Sequence, residues 1–172
     1  YMWYKNSREM KINRWLCDPL TIHGTEKLKL IRGEERVSLF ASGDGYRTLV
    51  EYGFGWASWE REIGSLRSKV TAFVPENLPI RVLMIELRGE IEGWQVEYYT
   101  DVSLGGDNSL SNTAMVWQEE GTLCARNLSG EYRDTVFRTA VSKVPENVCF
   151  SRNAVISGEF DNDMAGPKCL AM

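Results

Sequence analysis

Trp94-Gln95-Val96-Glu97-Tyr98-Tyr99-Thr100-Asp101-Val102 is the stretch that decides the fold class. Trp94, Val96, Tyr98, Thr100 and Val102 share one side of an extended chain, and Gln95, Glu97, Tyr99 and Asp101 share the other. That period of two is the signature of a strand with one face buried. Just upstream, 80–87 is apolar on both sides apart from Arg81 and Glu86, the pattern of a central strand covered by a second layer. Short runs rich in β-branched and aromatic residues recur at 27–32, 36–41, 47–52, 56–63, 67–74, 114–118, 122–126, 135–141 and 148–151.

Turn chemistry separates these runs: Gly33-Glu34-Glu35, Ser42-Gly43-Asp44-Gly45, Glu119-Glu120-Gly121, and Val-Pro-Glu-Asn at both 74–77 and 144–147. Proline presets φ at the second turn position and asparagine tolerates the left-handed region, so the repeated tetrapeptide is a recurring turn solution. No window of 12 or more residues carries a capped helical period, although 7–15 could form a short helical turn. The expectation is an all-β chain, a large antiparallel β-sandwich occupying 1–159. From Phe160 onward the residues are small and polar, so 160–172 is expected to be a loose tail or linker.

The 172 residues are 43% apolar, enough for one packed domain and too apolar for disorder. The longest apolar runs, such as 82–85, are far short of the roughly 20 residues of a membrane-spanning helix. A net charge of −4 without a run of Lys and Arg offers no grip on a phosphodiester backbone, so nucleic acid is not an expected partner. The four cysteines, Cys17, Cys124, Cys149 and Cys169, contain no C-x-x-C pair, and His23 is the single histidine. Structural zinc and a disulfide framework are therefore not expected, and reduced thiols suggest a cytoplasmic protein. Asn127-Leu128-Ser129 reads as a chance glycosylation sequon. The chain opens at Tyr1, in an aromatic segment, and is expected to be a piece of something longer.

Chemistry concentrates in two places. The first nineteen residues mix Trp3, Tyr4 and Trp15 with Asn6, Arg8, Glu9 and Asp18. Flat rings cover the apolar face of a sugar while planar polar groups bond vicinal hydroxyls, although composition alone favours Trp3, Tyr4 and Trp15 as core or sheet-packing aromatics and Arg8 and Glu9 as an ordinary ion pair. The second place is the polar loop 104–112, containing Asp107, Ser111 and Asn112, at the end of the deciding strand; such loops hold recognition residues or simply connect. The candidate substrate-binding residues are Trp3, Asn6, Arg8, Asp107, Ser111 and Asn112. Gly53-Phe54-Gly55-Trp56 lacks the strand-to-helix context of a phosphate loop, and its glycines are expected to permit a bulge or tight strand crossing. No Gly-x-Ser-x-Gly is present, His23 sits in an expected turn, and Glu60, Glu62, Glu86, Glu97 and Asp101 read as solubilising strand-face carboxylates. No catalytic residue and no metal ligand is assigned.

Trp3-Tyr4-Lys5-Asn6-Ser7-Arg8-Glu9, then Arg14-Trp15 and Asp18-Pro19, resembles the W-x-x-N-S-R-E and P-W-x-N-D-P stretch of the N-terminal sandwich of glycoside hydrolase family 94. Matches continue in order through Tyr52-Gly53-Phe54-Gly55-Trp56 with Glu60, then 67–75, 98–105, Ala125-Arg126-Asn127 and Ser151-Arg152-Asn153. The family holds the cellobiose, chitobiose and oligoglucan phosphorylases and the phosphorylase-like region of cyclic β-1,2-glucan synthases. The wording of 6–9 resembles the cyclic-glucan-synthase and oligoglucan branch. Lys5 and Cys17 depart from the pattern, as do Leu110, Ser111 and Asn112, where relatives have Gln and Arg.

The resemblance implies a galactose-mutarotase-like supersandwich preceding a helical (α/α)6 barrel that carries the catalytic aspartate and lies outside these residues. It implies a non-catalytic carbohydrate-binding role here, toward a β-linked oligosaccharide, within an inverting phosphorylase or glucan synthase. Inorganic phosphate would be the co-substrate, with no cofactor, and a homodimer is expected. The rival readings from the residues alone are a free-standing carbohydrate-binding module and a scaffold sandwich.

Overall fold

The computed structural model describes residues 12–13, 26–40, 44–105, 113–129, 133–157 and 168–172. Among them run twelve strands and one short helix: β1 (Glu26–Arg32), β2 (Glu35–Ser38), β3 (Thr48–Gly53), β4 (Trp56–Ile63), β5 (Leu66–Phe73), β6 (Val82–Gly89), β7 (Gln95–Asp101), β8 (Met115–Glu119), β9 (Thr122–Arg126), β10 (Phe137–Thr139), β11 (Cys149–Ser151), α1 (Arg152–Ser157) and β12 (Lys168–Ala171). The chain is all-β and antiparallel, as its alternation predicts. It divides into two compact units, one of residues 28–97 and one of residues 1–27 with 98–172.

In the 28–97 unit, β3, β4, β5 and β6 lie in sequential order, each antiparallel to the next. Phe54-Gly55 turns β3 into β4, with Gly55 at φ 76°. The glycines of Gly53-Phe54-Gly55-Trp56 thus serve a hairpin turn, where the sequence suggested a bulge or crossing; a positive φ is what glycine supplies without steric cost. One face of this sheet is covered. Ile63, Leu66 and Val70 are buried there, and Phe40 meets Trp59 edge-on at 5.0 Å between ring centroids. Arg61, 1% exposed, donates to the Ser38 carbonyl and to Asp44, and its guanidinium stands 5.5 Å from the Tyr46 ring centroid. A buried charge needs such partners. The Arg61 guanidinium in turn holds the Asp44 carboxyl below the ordinary range.

The other face carries a ladder of charges: Glu60, Lys69 and Glu86 in one cross-strand row, and Glu62, Arg67 and Arg88 in the next. Two rows in the opposite direction stand Trp56, Phe73 and Val82. The run 80–87, expected as a central strand under a second layer, is in the main β6 at the end of the sheet order, and Met84 is 47% exposed. An apolar run marks a strand but does not reveal how many neighbours it has.

In the other unit, β11, β12 and β7 run side by side in that order, and β10, β9 and β8 form a second sheet. Glu120-Gly121 joins β8 to β9 with φ of 49° and 76°, both positive as a type I′ hairpin turn requires. Leu170 packs with Val102, Leu104, Ala114, Val116, Leu123 and Ala125, while Phe150 and Met172 flank the same cluster. The two sheets therefore share one apolar core. On the opposite face Cys169 and Ala171 join Tyr99, Cys149 and Ala154 of α1. Alternation along β12 feeds both clusters.

Two features depart from the sequence reading. The end of the stretch set apart as a loose tail is β12, hydrogen-bonded between β11 and β7; the rest of that stretch, 160–167, lies outside the described residues. The deciding strand is not simply half-buried. Gln95 and Val96 are exposed, whereas Tyr98, Tyr99, Thr100 and Asp101 are all buried, on both sides of the ribbon.

Candidate functional site

The candidate site grows from the end of β7, where Val102-Ser103-Leu104 leads into the polar loop. Leu104 is fully buried and takes φ 54°, a left-handed conformation that a leucine holds only when its surroundings fix it. Packing fixes the side chain in the shared core. Hydrogen bonds fix the backbone: the Ser103 and Leu104 amides both donate to the Ile12 carbonyl, at 3.0 and 3.1 Å. The neighbouring Asn13, fully buried, donates its carboxamide to Thr100 Oγ1 at 3.5 Å.

Asn127, also fully buried, closes the far side of the loop root. Its Nδ2 donates to the Ser103 carbonyl at 3.0 Å, and its Oδ1 accepts from Thr113 Oγ1 at 3.2 Å and from the Ser129 amide at 3.0 Å. One carboxamide thereby ties the strand before the loop to the residue after it. Its nitrogen is buried and engaged, so the sequon at 127–129 presents no accessible acceptor in the folded chain, consistent with its reading as chance.

Below the root, Asp101 anchors β7. The carboxylate is 1% exposed, accepts from Tyr99 Oη, and lies 3.1 Å from Arg152 Nε. Burial, then the adjacent Asp101 charge, push the Tyr99 phenol far above its ordinary range, so Tyr99 is a donor at any physiological pH. Arg152 reaches Asp101 from the start of α1, where Ser151 Oγ accepts from the Ala154 amide at 3.3 Å as an N-cap. Asp101 was expected on a solvated strand face, and its burial corrects that reading.

The six sequence-predicted binding residues, Trp3, Asn6, Arg8, Asp107, Ser111 and Asn112, lie outside the described residues, as does His23. What is described is the frame between them: Ile12-Asn13, within the first nineteen residues, is bonded to the root of the loop that carries the second group. Sequence reasoning gave Asn127 and Arg152 no site role, although both fall inside motifs that carried the family resemblance. Neither a carboxamide bridge nor a buried ion pair leaves a periodic signal.

Among the described residues no group of three or more His, Cys, Asp or Glu could hold a metal ion. Cys124, Cys149 and Cys169 are buried, and burial pushes the Cys124 thiol up, away from the thiolate a nucleophile needs. No helix among the described residues is long and apolar enough to cross a membrane. The arrangement is suited to positioning a loop.

A search of curated proteins returned no match. A family model described as "Glycosyl hydrolase 94, supersandwich domain" matches residues 1–154. With most of its length matched, from the aromatic N-terminal segment through β11 into α1, the chain belongs to the glycosyl hydrolase 94 supersandwich family.

Proposed function

We propose that this chain is the non-catalytic, carbohydrate-binding sandwich of an inverting β-glycan phosphorylase or cyclic β-1,2-glucan synthase. Its task is to shape the acceptor end of a glycan cleft. The observation that carries the reading is the bonding of Ser103 and Leu104 to Ile12 and of Asn127 to Ser103. It ties the root of the polar loop, Ser103-Leu104, to Ile12, which follows Trp3, Asn6 and Arg8 in the sequence. A loop meant to grip sugar hydroxyls gains affinity when its ordering cost is met by the scaffold.

In the parent protein, a helical barrel supplies the aspartic acid that protonates the glycosidic oxygen. A phosphate oxygen attacks the anomeric carbon from the opposite face as the carbon–oxygen bond breaks, giving a sugar 1-phosphate and a shortened glycan. Asp107, Ser111 and Asn112 from the loop, with Asn6 and Arg8, bond the acceptor hydroxyls, and Trp3 stacks on its ring. The protein works as a homodimer in the cytoplasm and uses phosphate as co-substrate without a cofactor.

The test is phosphate-dependent release of sugar 1-phosphate by the full-length protein from a panel of β-linked glucose disaccharides. Release from at least one linkage, β-1,2 first, is expected. Hydrolysis to free sugar independent of phosphate, or no turnover of any β-glucan, contradicts the reading.

A further inference from the structure

We propose that the outward face of the β3–β6 sheet is a separate glycan-binding strip for a neutral, linear β-glucan. It uses none of the residues of the acceptor site, and it rests on the proposed function for the β-glucan class of its ligand.

The first observation is the posture of Trp56. Its cross-strand partner is Gly53, and the indole lies across the place where a Cβ at position 53 would stand. Glycine here removes the side chain that would prop the ring upright, so the indole lies down on the sheet while remaining 41% exposed. Phe73, 36% exposed, is its partner on the other side, and Phe54 at the turn is fully exposed. Flat exposed rings are the surface on which the apolar face of a pyranose packs.

The second observation is the ladder that continues the same face. Glu60, Arg67, Lys69, Glu86 and Arg88 line a shallow cleft, with Arg67 bonded to Glu60 and Arg88 to Glu86 at 3.2 Å. Counting Glu62, the two rows hold three carboxylates and three cations. This balance gives no net attraction for an anion or a cation, which speaks against a phosphate, a nucleotide or a basic peptide. Alternating planar donors and acceptors suit a ligand whose hydroxyls both donate and accept.

The third is length. Six residues separate the Trp56 row from the Glu62 row, about 20 Å of strand, room for several linked sugars with one end on the rings and the other in the cleft.

The experiment is titration of the full chain with cellohexaose and with a β-1,2-linked glucohexaose, followed by calorimetry and by the indole Nε1–H resonance of Trp56, assigned through Trp56→Phe. Binding at or below about 10 mM is expected, with the Trp56 resonance shifting. Trp56→Ala is expected to weaken binding about tenfold or more, and Trp56→Phe only a few-fold. Gly53→Ala removes no aromatic atom but displaces the indole, and it should also weaken binding. Thermal unfolding of each variant confirms a folded chain. Three results overturn the proposal: no binding at about 10 mM sugar; binding whose shifts avoid Trp56 and fall at the loop root around Ser103, which would leave the acceptor-site reading standing; or equal competition by inorganic phosphate, which would show a charged-ligand site.

Discussion

The sheet of β11, β12 and β7 sends side chains into clusters on both faces, whereas the sheet of β3 to β6 buries one face and turns the other to solvent. Both contain charged residues in their strands, and the surroundings give those charges opposite meanings. Asp101 is locked between Tyr99 and Arg152 and holds a strand in place. The Glu60 and Glu62 rows stand at the surface, where their pairs contribute little to stability and stay available to a ligand. A rigid, doubly covered sheet is the right base for a positioned loop; a half-open one is a surface.

Breaking the buried pair should give the largest effect. Arg152→Ala removes the cation beside the buried Asp101 carboxylate and is expected to cost about 3 to 5 kcal/mol in urea unfolding, while Arg67→Ala on the open sheet costs about 0.2 to 1 kcal/mol. Equal losses would erase the contrast. Asn127→Ala comes next, with about 2 to 3 kcal/mol expected from the partners it orphans. Hydrogen exchange should localise the change to the Ser103 and Leu104 amides.

The pH dependence separates the two units by sign. The Tyr99 phenol is raised in the folded chain, so the stability it contributes is fully present below about pH 10 and is lost as pH rises above that. Asp44 is lowered, so its contribution is present above about pH 4 and is lost as pH falls below it. Tyr99→Phe should flatten the alkaline limb alone, and Asp44→Asn the acid limb alone, in denaturation midpoints measured across pH. The smallest effect has the opposite direction: Glu120→Asn at the type I′ turn should stabilise by about 0.5 kcal/mol, because asparagine tolerates positive φ better than glutamate.

Much of this architecture was legible in the residues. Strands at 56–63 and 122–126 coincide with β4 and β9, because β-branched and aromatic runs bounded by Gly turns state both their extent and their ends. Two-sided burial was not legible: Gln95 to Asp101 alternates evenly, yet only its second half is enclosed, and enclosure depends on layers contributed by distant sequence. β12 escaped notice because Lys168-Cys169-Leu170-Ala171 is four residues long, follows Gly-Pro, and becomes a strand only through its neighbours β11 and β7. The site residues were named from side-chain chemistry and lie outside the described residues, while the frame between them, Asn127 above all, is visible only as geometry.

Acceptor kinetics in the synthetic direction test the central claim most directly. In the full-length protein, with sugar 1-phosphate saturating, Arg8→Ala and Asn112→Ala are each expected to raise the KM for the acceptor glucan about tenfold, with the KM for sugar 1-phosphate unchanged. An unaltered acceptor KM in both variants, or a change carried by the sugar 1-phosphate instead, would contradict the account.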